Sequence, residues 1–261
     1  FSNDAILFPK EIYFGQKNSH LFLITEYISQ DKVFVEHTLE EQFFMALRAF
    51  NAQEAFHATT FEHLKKVGKV LPVFSARDYF AEFEKFKIES GKNEAETFLR
   101  DHKSLIDKYS NYLMHEDFVP HNFRVDGKKM YMLDTASVWF GNKYEGWARF
   151  LNYMIIHNPN LEKILVEYLR TNRGEEEYLD LRLMRIYKIG KLINFYNLSL
   201  PKTEGDLHDL TKKRIAFWES ILQLVLEDKP VPDVLVNEYK NERDTLRSTE
   251  EKERQKEFAV A

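Results

Sequence analysis

An imidazole, a carboxylate and a carboxamide stand at fixed offsets in Leu113-Met-His-Glu-Asp-Phe-Val-Pro-His-Asn122, and a second carboxylate, Asp134, closes the run Met-Leu-Asp. These residue types suit transfer of a phosphoryl group from a magnesium nucleotide. Such chemistry is mostly positioning and charge neutralisation, so it needs few protein groups. Asp117 is expected to accept or orient the proton of an acceptor hydroxyl. Asn122 and Asp134 offer hard oxygens to Mg²⁺, which takes one or two protein oxygens alongside phosphates and waters. His115 is expected to brace the loop rather than react.

Between these groups, Asn122-Phe-Arg-Val125, Asp126-Gly127 and Met130-Tyr-Met-Leu-Asp134 read as a β-hairpin with Asp-Gly at its turn. A hairpin brings its two ends together. Asn122 enters the first strand and Asp134 leaves the second, so the two metal-ligand candidates are predicted to be spatial neighbours.

With these residues in place the chain resembles the aminoglycoside phosphotransferase and choline kinase family of protein-kinase-like enzymes. The family's His-x-Asp-x-x-x-x-Asn loop is matched by His115, Asp117 and Asn122, and its strand-end metal Asp by Asp134. The resemblance implies that Asp117 is the catalytic base and that Asn122 and Asp134 hold magnesium. It also exposes departures. Glu116 stands where the family has a small residue, and Thr135-Ala136-Ser137 replaces an aromatic-acidic pair. The Gly-Asp-x-x-x-Asp brace begins at Gly141-Asn142 but ends on Gly146, with Glu145 one residue off.

Phe8 to Gly15 and Ser19 to Ile28 read as two strands around an Asn-Ser turn, rich in aromatic and β-branched residues. They are similar to the last two strands of the kinase small lobe running into the hinge. By that resemblance Thr25 backs the adenine pocket, and the backbones of Glu26 and Ile28 hydrogen-bond the adenine edge. No glycine-rich phosphate loop, strand Lys or partnering helix Glu is recognisable ahead of them. Because the first residue is Phe1 rather than Met, further sequence is expected upstream.

The 261 residues, 44% of them hydrophobic, are enough for a sizeable core, and with 22 Phe and 13 Tyr much of it must be aromatic. The absence of cysteine excludes disulfides, thiol catalysis and Cys-based zinc sites. A net charge of −5 argues against a nucleic-acid partner. With no signal peptide or membrane-spanning run, neither a membrane partner nor secretion is expected, and the expected compartment is cytoplasmic. Acidic groups at Glu175-Glu176-Glu177, Glu204 with Asp206 and Asp209, and Glu227-Asp228 would suit a cationic acceptor such as an aminoglycoside or a choline-like compound, or simply a solvated surface.

Periodicity places the remaining elements. Thr38-Leu-Glu-Glu41 is a capping box opening a helix, or two joined helices, over about 38–67, with Phe43, Leu47, Phe50, Phe61 and Leu64 on one face and Glu54 and His57 near that stripe. Asp78 to Tyr112 reads as two helices with a turn at Glu89 to Glu94, anchored by Phe83, Phe86, Leu99 and Ile106. A helical block starting near Trp147 is expected to run to Arg170 and to stop at Thr171-Asn-Arg-Gly174 with Gly in the left-handed conformation. Two stripes follow, Leu179 to Ile193 and Leu207 to Val225. After Pro230 and Pro232 a short packed turn over Val234 to Tyr239 is expected, and Glu238 to Glu257 reads as an exposed helix or a disordered tail.

The predicted architecture is α+β and protein-kinase-like. Residues 1–30 would form a truncated small β lobe and hinge, residues 31–235 a mostly helical large lobe with the catalytic hairpin, and residues 236–261 a charged tail. The expected function is transfer of the γ-phosphate of ATP or GTP to a hydroxyl of a small molecule, with Mg²⁺ as cofactor. The alternative is a catalytically weak or inactive kinase-like binding protein. Oligomeric state is not legible.

Overall fold

The capping box at Thr38 forms as the pattern requires. The Thr38 hydroxyl accepts from the Glu41 amide at 3.2 Å and the Glu41 carboxylate accepts from the Thr38 amide at 2.9 Å, which satisfies two of the amides a helix start leaves over. The helix it opens, α1, spans Leu39–His57 and buries Ala46, Ala49 and Phe50. The computed structural model describes residues 7–30, 32–57, 73–126, 129–134 and 137–248, so Phe61 and Leu64 lie outside the described residues.

Two strands precede α1: β1 (Glu11–Lys17) and β2 (His20–Thr25) pair antiparallel around Asn18 and Ser19, both at positive φ. The predicted pair of helices over 78–112 is three: α2 (Ala76–Phe83), α3 (Lys92–Asp101) and α4 (Lys103–Lys108). Gly91, at φ 77°, supplies the left-handed residue ahead of α3. The chain reaches the His115 loop through a strand. Tyr112–His115 forms β3, which pairs antiparallel with β6 (Val138–Gly141), an element that periodicity does not reveal because each strand is four residues long and its partner is remote. Between them β4 (Phe123–Asp126) and β5 (Lys129–Met132) form the predicted hairpin, and Leu7 adds to it through the Met130 carbonyl and the Met132 amide.

The expected continuous block from Trp147 to Arg170 is broken into α5 (Glu145–His157) and α6 (Pro159–Asn172). Asn158 caps α6 by accepting from the Leu161 amide at 3.2 Å, and Pro159 sits at its first position, where a missing N–H costs nothing. Gly174 is not left-handed as expected. At φ −66° it is extended and leads into α7 (Glu175–Ser199). Helices α8 (Gly205–Leu226) and α9 (Asp233–Leu246) complete the lobe. α9 replaces the predicted short turn, and a domain boundary at 235/236 would fall inside it, since Val236 and Tyr239 are buried in the main core.

That core is centred on α5 and α7. Phe150 meets Phe34, Phe50 and Phe123 ring to ring, and Phe50 stacks on Trp147 with centroids 4.2 Å apart. The hairpin is nailed to the helices by Phe123, Met130 and Met132, all buried, so its ends inherit the rigidity of the aromatic cluster. Among the described residues no helix is long and apolar enough to cross a membrane.

Candidate active site

Strand β3 ends at His115, and the chain then loops through Glu116 to Val119 and a short 3₁₀ turn, Pro120–Asn122, before entering β4. Pairing of β4 with β5 returns the chain to the same place, where the Leu133 amide donates to the Asn122 carbonyl at 2.7 Å. The hairpin therefore sets Asn122 beside Leu133-Asp134. His115 ties the loop to the same point. Its Nε2 lies 3.1 Å from the Leu133 carbonyl and 2.9 Å from that of Asp134, so this nitrogen carries the proton. Burial pushes the His115 pKa down against those two hydrogen bonds, which keeps the ring neutral, and among the described residues its buried Nδ1 has no partner.

Asp117 is held from two sides. The Asn122 Nδ2 donates to its Oδ2 at 3.0 Å and to its backbone carbonyl at 2.8 Å, while the Arg149 Nε donates to Oδ1 at 2.8 Å. Burial pushes this carboxyl up, but the Arg149 charge and hydrogen bond, with help from His121 and Asn122, hold it below the ordinary value. Asp134 is exposed, sits at φ 52°, and accepts from the Ser137 hydroxyl at 2.9 Å. The positive φ at a non-glycine residue turns the chain sharply out of the hairpin. Among the described residues no three His, Asp or Glu side chains converge as a metal cage. Magnesium needs only one or two protein oxygens when phosphates and water supply the rest, and the amide oxygen of Asn122 and the carboxylate of Asp134 are donors of that hard kind.

The extra negative charge of Glu116 is neutralised by a part of the molecule far away in sequence. Lys191 donates to its Oε1 at 2.5 Å and Lys188 at 3.4 Å. Burial raises the Glu116 pKa, and the two ammonium groups more than reverse this. Lys188 also donates to the fully buried Glu145 at 3.0 Å, and Tyr79 donates to the other Glu145 oxygen at 2.7 Å. The bracing carboxylate is thus Glu145, one residue before the position the family pattern marks, and it reaches the loop through Lys188. A side chain at position 146 would have to displace the Gln53 amide, because a Cβ there would lie 2.0 Å from the Gln53 Nε2.

Asp117 and Glu116 open onto a cavity of about 320 Å³ walled by Arg149, Lys188, Lys191, Phe195 and Trp218. Sequence reasoning found none of these five. Arg149 is the one Lys or Arg of α5, and Lys188 and Lys191 belong with Arg182 and Arg185 to a basic run at every third position of α7, but which carboxylate each meets is decided by packing. The acidic groups noted in the sequence lie elsewhere: Glu177 pairs with Lys143 and Arg173, Glu176 with Lys108, and Asp228 with Arg170. Thr25 is an exposed residue at the end of β2, and Glu26 and Ile28 follow it. The Glu26 amide donates to the Lys10 carbonyl at 2.9 Å and its side chain accepts from the Lys10 amide at 2.9 Å, which pins the strand exit.

No protein-family model matches this sequence, and no curated protein matches it either. Solved structures do match in fold. A thermostable mutant of aminoglycoside phosphotransferase APH(4)-Ia superposes with a TM-score of 0.63 at 13% identity, over 87% of this chain and 80% of that one. A choline/ethanolamine kinase family protein from Mesorhizobium loti gives a TM-score of 0.60 at 12% identity, over 92% and 77%. The GDP and kanamycin complex of APH(2")-IIIa gives 0.59 at 11% identity, over 86% and 77%. At such identities the likeness is one of fold, and it agrees with the loop and hairpin described above. The chain has the α+β, protein-kinase-like fold of the aminoglycoside phosphotransferases and the choline/ethanolamine kinase group, the family its His115 to Asn122 loop resembles.

Proposed function

We propose that the chain is a small-molecule phosphotransferase that moves the γ-phosphate of ATP or GTP to an acceptor hydroxyl. The observations that support this reading are the hydrogen bond from Asn122 to Asp117, the β4–β5 hairpin that returns Leu133-Asp134 to the Asn122 carbonyl, and the cavity of about 320 Å³ that Asp117 lines. Two of the neighbours support it: one solved structure is described as a complex with ADP and hygromycin B, another with GDP and kanamycin.

In this reading the acceptor oxygen attacks the γ-phosphorus in line, the bond to the β,γ-bridging oxygen breaks, the nucleoside diphosphate leaves, and the acceptor proton passes to Asp117. Asn122 and Asp134 would hold magnesium, whose role is to neutralise charge on the phosphates. A carboxylate kept below its ordinary pKa is a weak base. It is adequate here because in a loose transition state the hydroxyl loses its proton late, and orientation matters more than proton affinity. Thr25 would back the base, and because the Glu26 amide is spent on Lys10, its carbonyl and the Ile28 amide would meet the adenine edge. His115 holds the loop against Asp134 and takes no part in proton transfer. The Arg149–Asp117 ion pair favours one rival, a kinase-like binding protein with little turnover, because an acceptor would have to share Asp117 with a guanidinium.

Thermal unfolding tests the reading. Mg-ATP should raise the melting temperature, ligand at ~100 times its dissociation constant contributing ~2.7 kcal/mol, and Asp134→Ala should remove the gain. Asp117→Asn should keep the gain and lose ADP production with any acceptor. A melting curve indifferent to Mg-ATP and Mg-GTP sinks the proposal, and an Asp117→Asn variant with full turnover would make the chain a phosphotransferase with a different base.

A further inference from the structure

Three basic side chains line the cavity at Asp117, and they are committed to different degrees. Lys188 lies between two carboxylates, Glu145 at 3.0 Å and Glu116 at 3.4 Å. Lys191 also lies between two, Glu116 at 2.5 Å and Glu82 at 3.5 Å, and covers the Trp139 ring at 5.3 Å. Among the described residues Arg149 meets one carboxylate, and it does so through one N–H: its Nε donates to the Asp117 Oδ1 at 2.8 Å. A guanidinium carries its N–H donors in a planar fork, so those on the two terminal nitrogens are not used by that bond. The Arg149 side chain is 31% exposed, in the wall of the cavity onto which Asp117 opens.

The place of this fork is set by the core. Its neighbours on α5, Ala148 and Phe150, are fully buried, and the Tyr153 ring one turn on lies 5.8 Å from the guanidinium carbon. Asp117 is fixed from its other side by the Asn122 Nδ2, 3.0 Å from Oδ2. Each carboxylate oxygen has a further lone pair, so Arg149 and Asn122 leave room for an acceptor hydroxyl to donate to the same group. That hydroxyl oxygen is the atom that attacks phosphorus. The transferring phosphoryl group is then bonded to an atom that touches Asp117, and a guanidinium held by the same carboxylate is its neighbour. Negative charge in the loose transition state spreads over the equatorial phosphoryl oxygens, and an Arg fork matches two such oxygens with parallel hydrogen bonds.

We infer that Arg149 is a catalytic residue, which holds Asp117 through Nε and offers its terminal N–H groups to the equatorial oxygens of the γ-phosphoryl group during transfer. This rests on the proposed phosphotransferase reading and adds a cation that the chain itself supplies. In the step, the bond from the acceptor oxygen to phosphorus forms and the bond from phosphorus to the β,γ-bridging oxygen breaks. Its electron pair leaves with the nucleoside diphosphate, and the acceptor proton passes to Asp117. Arg149 exchanges no proton, because a guanidinium stays charged throughout. A cation already fixed where negative charge develops needs no reorganisation during the reaction, and an Arg so placed is worth about 10³–10⁵ in kcat. The ion pair with Asp117 is then part of the catalyst rather than an obstacle to it.

The test needs no identified acceptor. It compares Mg-ADP with Mg-ADP plus tetrafluoroaluminate, a planar mimic of the phosphoryl group in transfer, by thermal unfolding of the whole chain. The parent chain should bind the combination at least about tenfold tighter than Mg-ADP alone, as a site built for the transition state does. Arg149→Gln should reduce that preference to less than about twofold while Mg-ADP affinity stays within about threefold. Arg149→Lys keeps the charge without the fork, guards against a misfolded variant, and should keep an intermediate preference. A role confined to orienting Asp117 gives a different pattern, because Asp117→Asn would then lose the preference as fully as Arg149→Gln. If Arg149 touches the phosphoryl oxygens, Asp117→Asn keeps most of it. A parent chain that binds Mg-ADP without any preference overturns the inference, as does an Arg149→Gln variant that keeps the preference whole or loses Mg-ADP itself. Those outcomes leave the phosphotransferase reading standing. The absence of any stabilisation by Mg-ADP, with or without tetrafluoroaluminate, removes that reading and the inference with it.

Discussion

Two antiparallel ribbons carry the two halves of the candidate site, and they are stabilised differently. In the β4–β5 hairpin, which presents Asn122 and Asp134, Phe123 is 2% exposed and stacks on Phe150. In the β1–β2 ribbon, which leads to Thr25, Glu26 and Ile28, Ile12, Phe14, Leu21 and Leu23 are all more than half exposed, Leu21 at 68%. Both ribbons have paired backbones. Only one has its side chains buried, and burial rather than strand pairing stabilises a two-stranded ribbon in water. The proposed metal ligands and proposed catalytic base are thus held by the core, whereas the expected adenine-binding edge is held by hydrogen bonds such as that between Glu26 and Lys10.

Disturbing the core side should have the largest effects. Phe150→Ala removes a fully buried ring that touches Phe34, Phe50, Phe118 and Phe123, and should cost ~3–5 kcal/mol in urea unfolding together with the Mg-ATP response. Lys188→Met strands the buried Glu145 charge and should cost a similar ~3–5 kcal/mol, much of which Glu145→Gln in the same chain should restore. An unrestored double variant would mean that Lys188 acts by packing rather than by charge.

Asp180 provides a smaller contrast. It is buried with one oxygen bonded to Asn142 and, among the described residues, none to the other, and burial drives its pKa well up. A carboxyl raised in the folded state favours folding below its unfolded value near 3.8, and that contribution is lost as the pH rises above it. Asp180→Asn should therefore raise the melting temperature at pH 7 and leave it unchanged below that value. Asp117 has the opposite sign: held down, it contributes above 3.8 and loses that contribution as the pH falls through its depressed value. Arg149→Leu removes the largest influence holding Asp117 down, so it should lower stability at pH 7 and shrink the acid-induced loss that Asp117 contributes in the parent chain, read by urea unfolding across pH. On the ribbon, Leu21→Ser should change stability by no more than ~0.5 kcal/mol, and a larger loss would show that this surface is covered in solution.

The local chemistry of the site was legible in the residue order. The Thr38 capping box, the Asp-Gly hairpin and the neighbourhood of Asn122 and Asp134 follow from spacings of a few residues, because turn geometry and capping act over those distances. The break at Pro159 is equally local but is masked by the apolar stripe, which runs on through it. By contrast, the pairing of β3 with β6, the meeting of Glu116 with Lys188 and Lys191, and the clamp of Arg149 on Asp117 were decided only when helices from distant parts of the chain packed together. A charged side chain carries no periodic signature of its partner. Its role depends on which opposite charge the core brings within hydrogen-bond reach, and that is a property of the tertiary fold.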